Sequence, residues 1–240
     1  MKIKVAIIIP CYNESESICG VLEELHSIYP DYDYIVINDY STDNTLEIAT
    51  KSNFATVIDL PCNLGIGGAV QTGLKYARDY NYDYAVKFDG DGQHIAHEIG
   101  LLLNLVSKTK VNVAIGSRFL KVDDGFKSTF ARRVGIKMFS IINSIFIIQH
   151  ITDNTSGFRA YDKKSIKFLA RYYPSFDYPE PEEVVLLGKN GFRIKEVAIK
   201  MRARQGGVSS ISGLKSIYFM VKVIFAVLMV AFRPRLIKKR

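Results

Sequence analysis

Asp89 and Asp91 stand two positions apart in Asp89-Gly90-Asp91-Gly92-Gln93-His94, directly after the apolar run Tyr84-Ala85-Val86-Lys87-Phe88. Side chains along a strand alternate between faces, but a loop just past its end can turn both carboxylates inward. Glycines at 90 and 92 remove the side chains that would hold a bulky ligand off the backbone. Convergent acidic oxygens suit a hard divalent cation, Mg²⁺ or Mn²⁺, of the kind that bridges protein to substrate phosphates. The same residues also read as an ordinary Asp-Gly turn. What decides between the two is the set of elements around them.

Strand-like runs recur at Val5–Ile9, Tyr34–Ile37, Ala55–Ile58, Tyr84–Phe88 and 111–115. Helix-periodic segments alternate with them: Ile18, Val21, Leu22, Leu25 and Ile28, with Ser15 or Ser17 as N-cap; Leu46, Ile48 and Ala49; Val70, Leu74 and Ala77; Ile99, Leu102, Leu103 and Val106. This alternation predicts a mainly parallel sheet with helices on both faces, whose ligands gather at the carboxyl ends of the strands. Those ends are polar or glycine-rich: Pro10-Cys11-Tyr12-Asn13-Glu14, Asn38-Asp39-Tyr40-Ser41-Thr42-Asp43, Asn63-Leu64-Gly65-Ile66-Gly67-Gly68, and the acidic loop. Four such ends on one sheet edge point to a site. Gly65-x-Gly67 does not continue into a dinucleotide fingerprint, because position 70 is Val, and no P-loop sequence occurs.

The chain has 240 residues, 23% charged and 48% hydrophobic, which fits one large α/β domain, or one domain with a short appendage. The net charge is +8, and five of the last eight residues, Arg233 to Arg240, are basic. Cys11, Cys19 and Cys62 have neither Cys-x-x-Cys nor zinc-type spacing, which points to reduced thiols and a cytosolic setting. Lys2 to Pro10 is too short an apolar run for a secretory signal and reads as a first strand. The basic residues flank apolar segments without an aromatic-basic strand pattern, so nucleic acid is not the expected partner.

Together these pieces resemble the family 2 glycosyltransferases with a GT-A, Rossmann-like nucleotide-sugar-binding fold. Among these, the chain is most similar to the polyprenyl-phosphate sugar transferases of the dolichol-phosphate-mannose-synthase type. Further matching pieces are Gly116-Ser117-Arg118-Phe119, Asp153 to Tyr161, and Arg204-Gln205-Gly206-Gly207-Val208-Ser209, so that seven motifs run in order over residues 3–210. The resemblance implies a catalytic domain over 1–210 and an apolar, membrane-associated helix with a basic tail over 211–240. It implies that Pro10, Tyr12 and Glu14 line the nucleoside pocket and that Asp39 holds base or ribose. Asn63, Gly65, Gly67, Arg132, Ser156 and Arg159 join them as substrate-binding positions. Asp89 and Asp91, with Gln93, are implied as ligands of Mg²⁺ or Mn²⁺ on the donor diphosphate, and Arg118 and Arg204 as phosphate-neutralising groups. Metal and arginines would stabilise the charge developing on a nucleoside diphosphate as it leaves. Cys11, Asn38 and Tyr40 depart from the residues usual in the family.

Structural alternatives stand beside these roles. Asp39 and Asp43 could cap the following helix, Arg118 could pair with Asp123 or Asp124, Arg159 could pair with Asp153, and His94 could be a hydrogen-bonded loop residue. Glu182 and Glu183 read as helix-capping residues.

Transfer to a hydroxyl needs a general base, for which Asp153 is the candidate; a phosphate acceptor is already anionic and needs positive charge instead. Arg132, Arg133, Lys137, Arg202 and Arg204 offer that charge. The expected acceptor is therefore a polyprenyl phosphate, the alternative a hydroxyl on a lipid-linked cell-surface glycan, for instance in rhamnosyl transfer. A third reading is a non-catalytic nucleotide-sugar-binding scaffold. Residues 138–148 read as an amphipathic interfacial helix. Ile217 to Phe232, at 16 residues, falls short of the ~20 that span a bilayer. Lys215 and Lys222 share a face of it and would snorkel at a membrane surface. The expected setting is peripheral, on the inner face of the cell membrane, with or without an integral membrane partner protein.

Overall fold

The structure is a computed structural model that describes residues 3–120, 149, 151–202 and 215–237. The five apolar runs form strands β1 (Val5–Cys11), β2 (Asp33–Asn38), β3 (Ala55–Asp59), β4 (Tyr84–Lys87) and β5 (Val113–Ser117). Between them lie α1 (Ile18–Ile28), α2 (Thr45–Lys51), α3 (Gly65–Asp79) and α4 (Ile99–Lys108). Two strands were not expected: β6 (Arg159–Asp162) and β7 (Ile194–Ala198), which enclose α5 (Lys163–Tyr172) and α6 (Glu180–Lys189); α7 (Lys215–Phe232) follows. The strands form one sheet in the order β3-β2-β1-β4-β6-β5-β7. All neighbours are parallel except at β6, which runs antiparallel to both β4 and β5.

The alternating strand residues divide two cores. Ala6, Ile8, Ile35 and Ile37 face one, with α3, α5, α6 and α7; Val5, Ile7, Ile9, Tyr34 and Val36 face the other, with α1, α2 and α4. Both faces being covered is why the strands read as continuous apolar runs. The chain order reverses around β1, with β2 on one side and β4 on the other, so the crevice between the ends of β1 and β4 is a topological switch point. Asp89 begins there.

Two expectations change. Ser17 occupies the N-cap of α1, but its hydroxyl donates to the Gly90 carbonyl (2.7 Å) instead of capping the helix. Lys222 does not snorkel alone; it pairs with Asp177 at 2.7 Å. α7 buries Val223, Val227, Val230 and Ala231 in the core that holds α6. Among the described residues no helix is long and apolar enough to cross a membrane.

Candidate active site

The loops after β1 and β2 are laced together. Asn13, at a φ of 55°, donates its N–H to Ser41 Oγ (3.0 Å) and accepts from Thr42 N (2.8 Å). Glu14 N donates to Thr45 Oγ1 (2.8 Å) and Ser15 N to Asp43 Oδ2 (3.1 Å). Asp43 also accepts from Thr45 N (3.0 Å), the first N–H of α2, although the N-cap position itself is Asn44. Burial pushes its carboxyl up, but the hydrogen bonds from Thr45 and Ser15 win and hold it below its ordinary value. Much of the Asn38–Thr45 stretch is thus spent on holding the rim rigid. Tyr12 and Tyr40 stand exposed on these two loops, Tyr40 at a φ of 60° that a bulky residue adopts only at a cost. Pro10 is buried near the end of β1.

Asp39 reaches the third strand end rather than capping α2: its Oδ1 accepts from Leu64 N (2.7 Å). Burial raises its pKa above the usual carboxylate range, partly offset by the Leu64 and Gly65 N–H groups. Asn63 completes the link, accepting from Gly65 N (3.1 Å) and donating to the Asp39 carbonyl (3.1 Å). The glycines that open α3 have a packing reason. Gly65 holds a φ of 74°, and a Cβ on Gly67 would lie 1.9 Å from the Ser175 carbonyl oxygen. Gly67 N already donates to Phe176 O (2.8 Å), so this N–H is directed at protein and not at a phosphate.

The acidic loop rests on the β1–α1 turn, with Ser17 bonded to Gly90 and with Cys11 Sγ 2.7 Å from where a Gly90 Cβ would be. Gln93 N donates to Asp91 Oδ1 (3.0 Å), an Asx turn that fixes one carboxylate. His94 is buried, stacked on Phe158 (4.7 Å between ring centroids) and edge-on to Phe88. Its Nδ1 accepts from Asp89 N (3.1 Å) and burial lowers its pKa, so it is a neutral loop anchor. Met201 bridges to His94, and Arg202 N donates to Gln93 O (2.8 Å). Arg202 itself grips Glu24 through two bonds (2.6 and 2.9 Å), so its charge is not presented to an acceptor. Arg132, Arg133, Lys137, residues 138–148 and Arg204 lie outside the described residues, as do Asp123 and Asp124.

Asp153 is fully buried and held by Arg118, whose Nε and Nη2 each approach a separate carboxylate oxygen at 2.7 Å. Arg118 N (3.1 Å) and Thr155 Oγ1 (3.2 Å) donate to the same two oxygens. Asp153 N donates in turn to Glu196 (2.7 Å). Burial disfavours the charge on Arg118, but Asp153 outweighs it and keeps the guanidinium protonated. The pair Arg159–Asp153 does not form. Arg159 is fully buried; it bonds the carbonyls of Ser156 (2.8 Å), Asn154 (3.0 Å) and Glu180 (3.1 Å) and pairs with Glu183 at 3.1 Å. Ser156 is buried too, with Phe158 N donating to its hydroxyl at 3.3 Å. Both brace the Asp153–Phe158 segment through these internal bonds.

Two residues were missed. Lys87, the last residue of β4, is buried and pairs with Glu180 at 2.6 Å. Desolvation pushes its pKa down, but Glu180 and Asp89 outweigh this and raise it above the ordinary lysine value. A lysine ending a strand covered on both faces was the available signal. Gly157 is the other: a Cβ there would lie 2.9 Å from Asp89 Oδ2 and 3.2 Å from Lys87 Nζ. Gly157→Ala is therefore expected to displace the Asp89 carboxylate and lower activity about 10- to 100-fold, the size of effect typical of changes just behind a functional carboxylate, with little change in thermal midpoint. Steady-state kinetics beside a melting curve checks this.

Residues 6–169 match the profile of the family described as Glycosyl transferase family 2. The chain belongs to that family. This glycosyltransferase is 31% identical over 212 residues to a UDP-N-acetylglucosamine–dolichyl-phosphate N-acetylglucosaminyltransferase of Methanococcus voltae, covering 81% of this chain and 84% of that one. It is 29% identical over 220 residues to an undecaprenyl-phosphate mannosyltransferase of Micrococcus luteus, 88% of each chain. A polyprenol monophosphomannose synthase of Mycolicibacterium smegmatis is 28% identical over 214 residues, 86% of this chain and 80% of that one. In fold it resembles the crystal structure of glucosyl-3-phosphoglycerate synthase from Mycobacterium tuberculosis in complex with Mn²⁺, UDP and phosphoglyceric acid. The TM-score is 0.73 over 96% of this chain and 79% of that one, at 18% identity. Another structure of that synthase holds Mg²⁺ and UDP. The GT-A architecture that the family resemblance implied is therefore the one found.

Proposed function

We propose that this glycosyltransferase moves a hexose, with inversion, from a nucleoside-diphosphate sugar to a polyprenyl phosphate, as a peripheral enzyme of the inner membrane face. The observation that carries the choice of acceptor is the state of Asp153. Its two oxygens receive four donors, two of them from a charged guanidinium, which leaves it poorly placed to accept a proton from a hydroxyl. A phosphate needs no such base. The names of the Methanococcus, Micrococcus and Mycolicibacterium relatives support the same acceptor class.

The donor is proposed to lie across the ends of β1, β2 and β4, with Tyr12, Glu14 and Asp39 toward the nucleoside and Asp89 and Asp91 toward the diphosphate. Among the described residues no three His, Cys, Asp or Glu side chains form a metal cluster. Two carboxylates without a closed cage fit Mg²⁺ or Mn²⁺, which fill the remaining positions with phosphate oxygens and water. The space kept by Gly157 beside Asp89 fits the same reading. When bound, the ion would neutralise charge on the leaving diphosphate. Gln93 shapes the Asp91 turn, and Arg118, fixed by Asp153, supplies positive charge beside it. Arg204 comes two residues after Arg202, a reach of at most about 7 Å from a residue bonded to Gln93, and is proposed as a second phosphate-binding arginine. Arg132 is proposed for the acceptor side on its charge alone.

The test incubates purified protein with UDP- and GDP-sugars, Mg²⁺ or Mn²⁺, and undecaprenyl or dolichyl phosphate. Sugar transferred to the lipid phosphate supports the reading, whereas transfer only to a saccharide hydroxyl defeats it. Asp153→Asn is expected to weaken substrate binding and leave the acidic limb of the pH–kcat profile in place. Loss of that limb would make Asp153 the base and favour the hydroxyl acceptor.

A further inference from the structure

The last helix carries apolar residues on both sides, and among the described residues one side is covered and the other exposed. At about 100° per residue, Val223, Val227, Val230 and Ala231 fall on one face, which is buried against the core containing α6. Phe225, Met229 and Phe232 fall within about 60° of one another on the opposite face. They are 65%, 76% and 77% exposed. Lys222 begins the same stripe and holds Asp177, whose chain neighbour Phe176 is 66% exposed. The stripe does not dangle. Lys189 donates to the carbonyls of Ala231 and of Arg233 (2.6 Å), and Asn190 Oδ1 accepts from Leu236 N (2.8 Å) and Ile237 N (3.0 Å). Four large apolar side chains are thus held out on a fixed surface.

The charge beside them selects the occupant. Arg233 and Arg235 are exposed directly after the helix, and Lys238, Lys239 and Arg240 follow in the sequence. We infer that the Phe176, Phe225, Met229 and Phe232 face is a docking surface for an anionic lipid bilayer, into which these side chains insert while the basic tail meets headgroups. Aromatic and aliphatic residues on one helix face with adjacent arginines is the composition that binds such an interface. α7 then lies along the membrane and does not cross it. The same loop ties docking to the site, because Phe176 O receives the N–H of Gly67 at the opening of α3. Docking would hold that edge of the sheet at a constant height above the bilayer. This deepens the proposed function by naming the surface through which a lipid acceptor is approached.

The test needs neither donor nor acceptor, so it stands or falls apart from the transfer assay. The full chain is sedimented with vesicles of phosphatidylcholine alone or with phosphatidylglycerol. Wild type should bind the anionic vesicles and bind pure phosphatidylcholine far less. The triple variant Phe225→Ser, Met229→Ser, Phe232→Ser should bind roughly tenfold more weakly or worse. An unchanged urea midpoint would confirm that it is folded. Arg233→Gln and Arg235→Gln should each weaken binding about fivefold and flatten its salt dependence. The inference is overturned if wild type ignores anionic vesicles or if the triple variant binds as wild type does. It is equally overturned if sedimentation equilibrium shows a wild-type dimer that the triple variant splits, since the stripe would then cover a second copy. Should the triple variant prove unfolded, Phe176→Ser decides: undiminished vesicle binding counts against the surface.

Discussion

Asp91→Asn should lower sugar transfer roughly a thousandfold or more while leaving the melting temperature within a few degrees of wild type. Asparagine keeps the oxygen that receives Gln93 N, so the turn over residues 91–93 survives. What it loses is one negative charge facing the proposed cation, and electrostatic groups that act on a leaving diphosphate contribute several kcal/mol each. Asp91 is the cleaner probe of the pair, because the backbone of Asp89 is bonded to His94 and its side chain packs closely against the backbone at Gly157. The check is a titration of turnover against Mn²⁺, beside the thermal shift that UDP or GDP produces with and without the ion. Retention of wild-type turnover by Asp91→Asn would remove the acidic loop from the chemistry.

Breaking the Arg159–Glu183 pair should cost about 3–5 kcal/mol of folding stability, because either single change leaves a fully buried charge without its partner. Glu183 also accepts from Tyr173 (3.0 Å) and Tyr161 (3.4 Å), so Glu183→Leu strands two hydroxyls as well. Burial raises the pKa of both tyrosines, with Glu183 adding to it, so neither phenol ionises to compensate. The double variant Arg159→Met, Glu183→Leu should recover part of the loss, since apolar residues of similar volume often replace a buried pair at little cost. Urea unfolding of the two singles and the double measures the coupling. Strict additivity would mean that the two side chains do not act as a pair. This network lies beneath the Asp153–Phe158 segment, so the singles should also reduce activity indirectly.

The identity of the fold was legible in the chain. The four parallel strands β3, β2, β1 and β4 follow from apolar runs that alternate with helical periodicity. The carboxyl ends of these strands meet on one edge because right-handed crossovers leave them no other arrangement. β6 was not legible: four residues beginning with an arginine and ending with an aspartate have no strand signature, and only the two strands flanking it make it one. The helical character of α7 was visible, but the division of its apolar residues into a covered and an uncovered side was not.

What the sequence determined by itself is therefore the order of elements from β1 to β5, the acidic loop at the end of β4 and the family to which these belong, because each is local in the chain or repeats along it. What only the tertiary structure decided is which polar residues are free to act. Asp153, Ser156, Arg159 and Arg202 looked like ligand-facing groups, yet their partners lie 35, 2, 24 and 178 residues away in sequence. Nothing along the chain reports most of those distances. A buried charge must find its counter-charge wherever the fold places one, and that pairing separates the residues that hold the site from those that face the substrate.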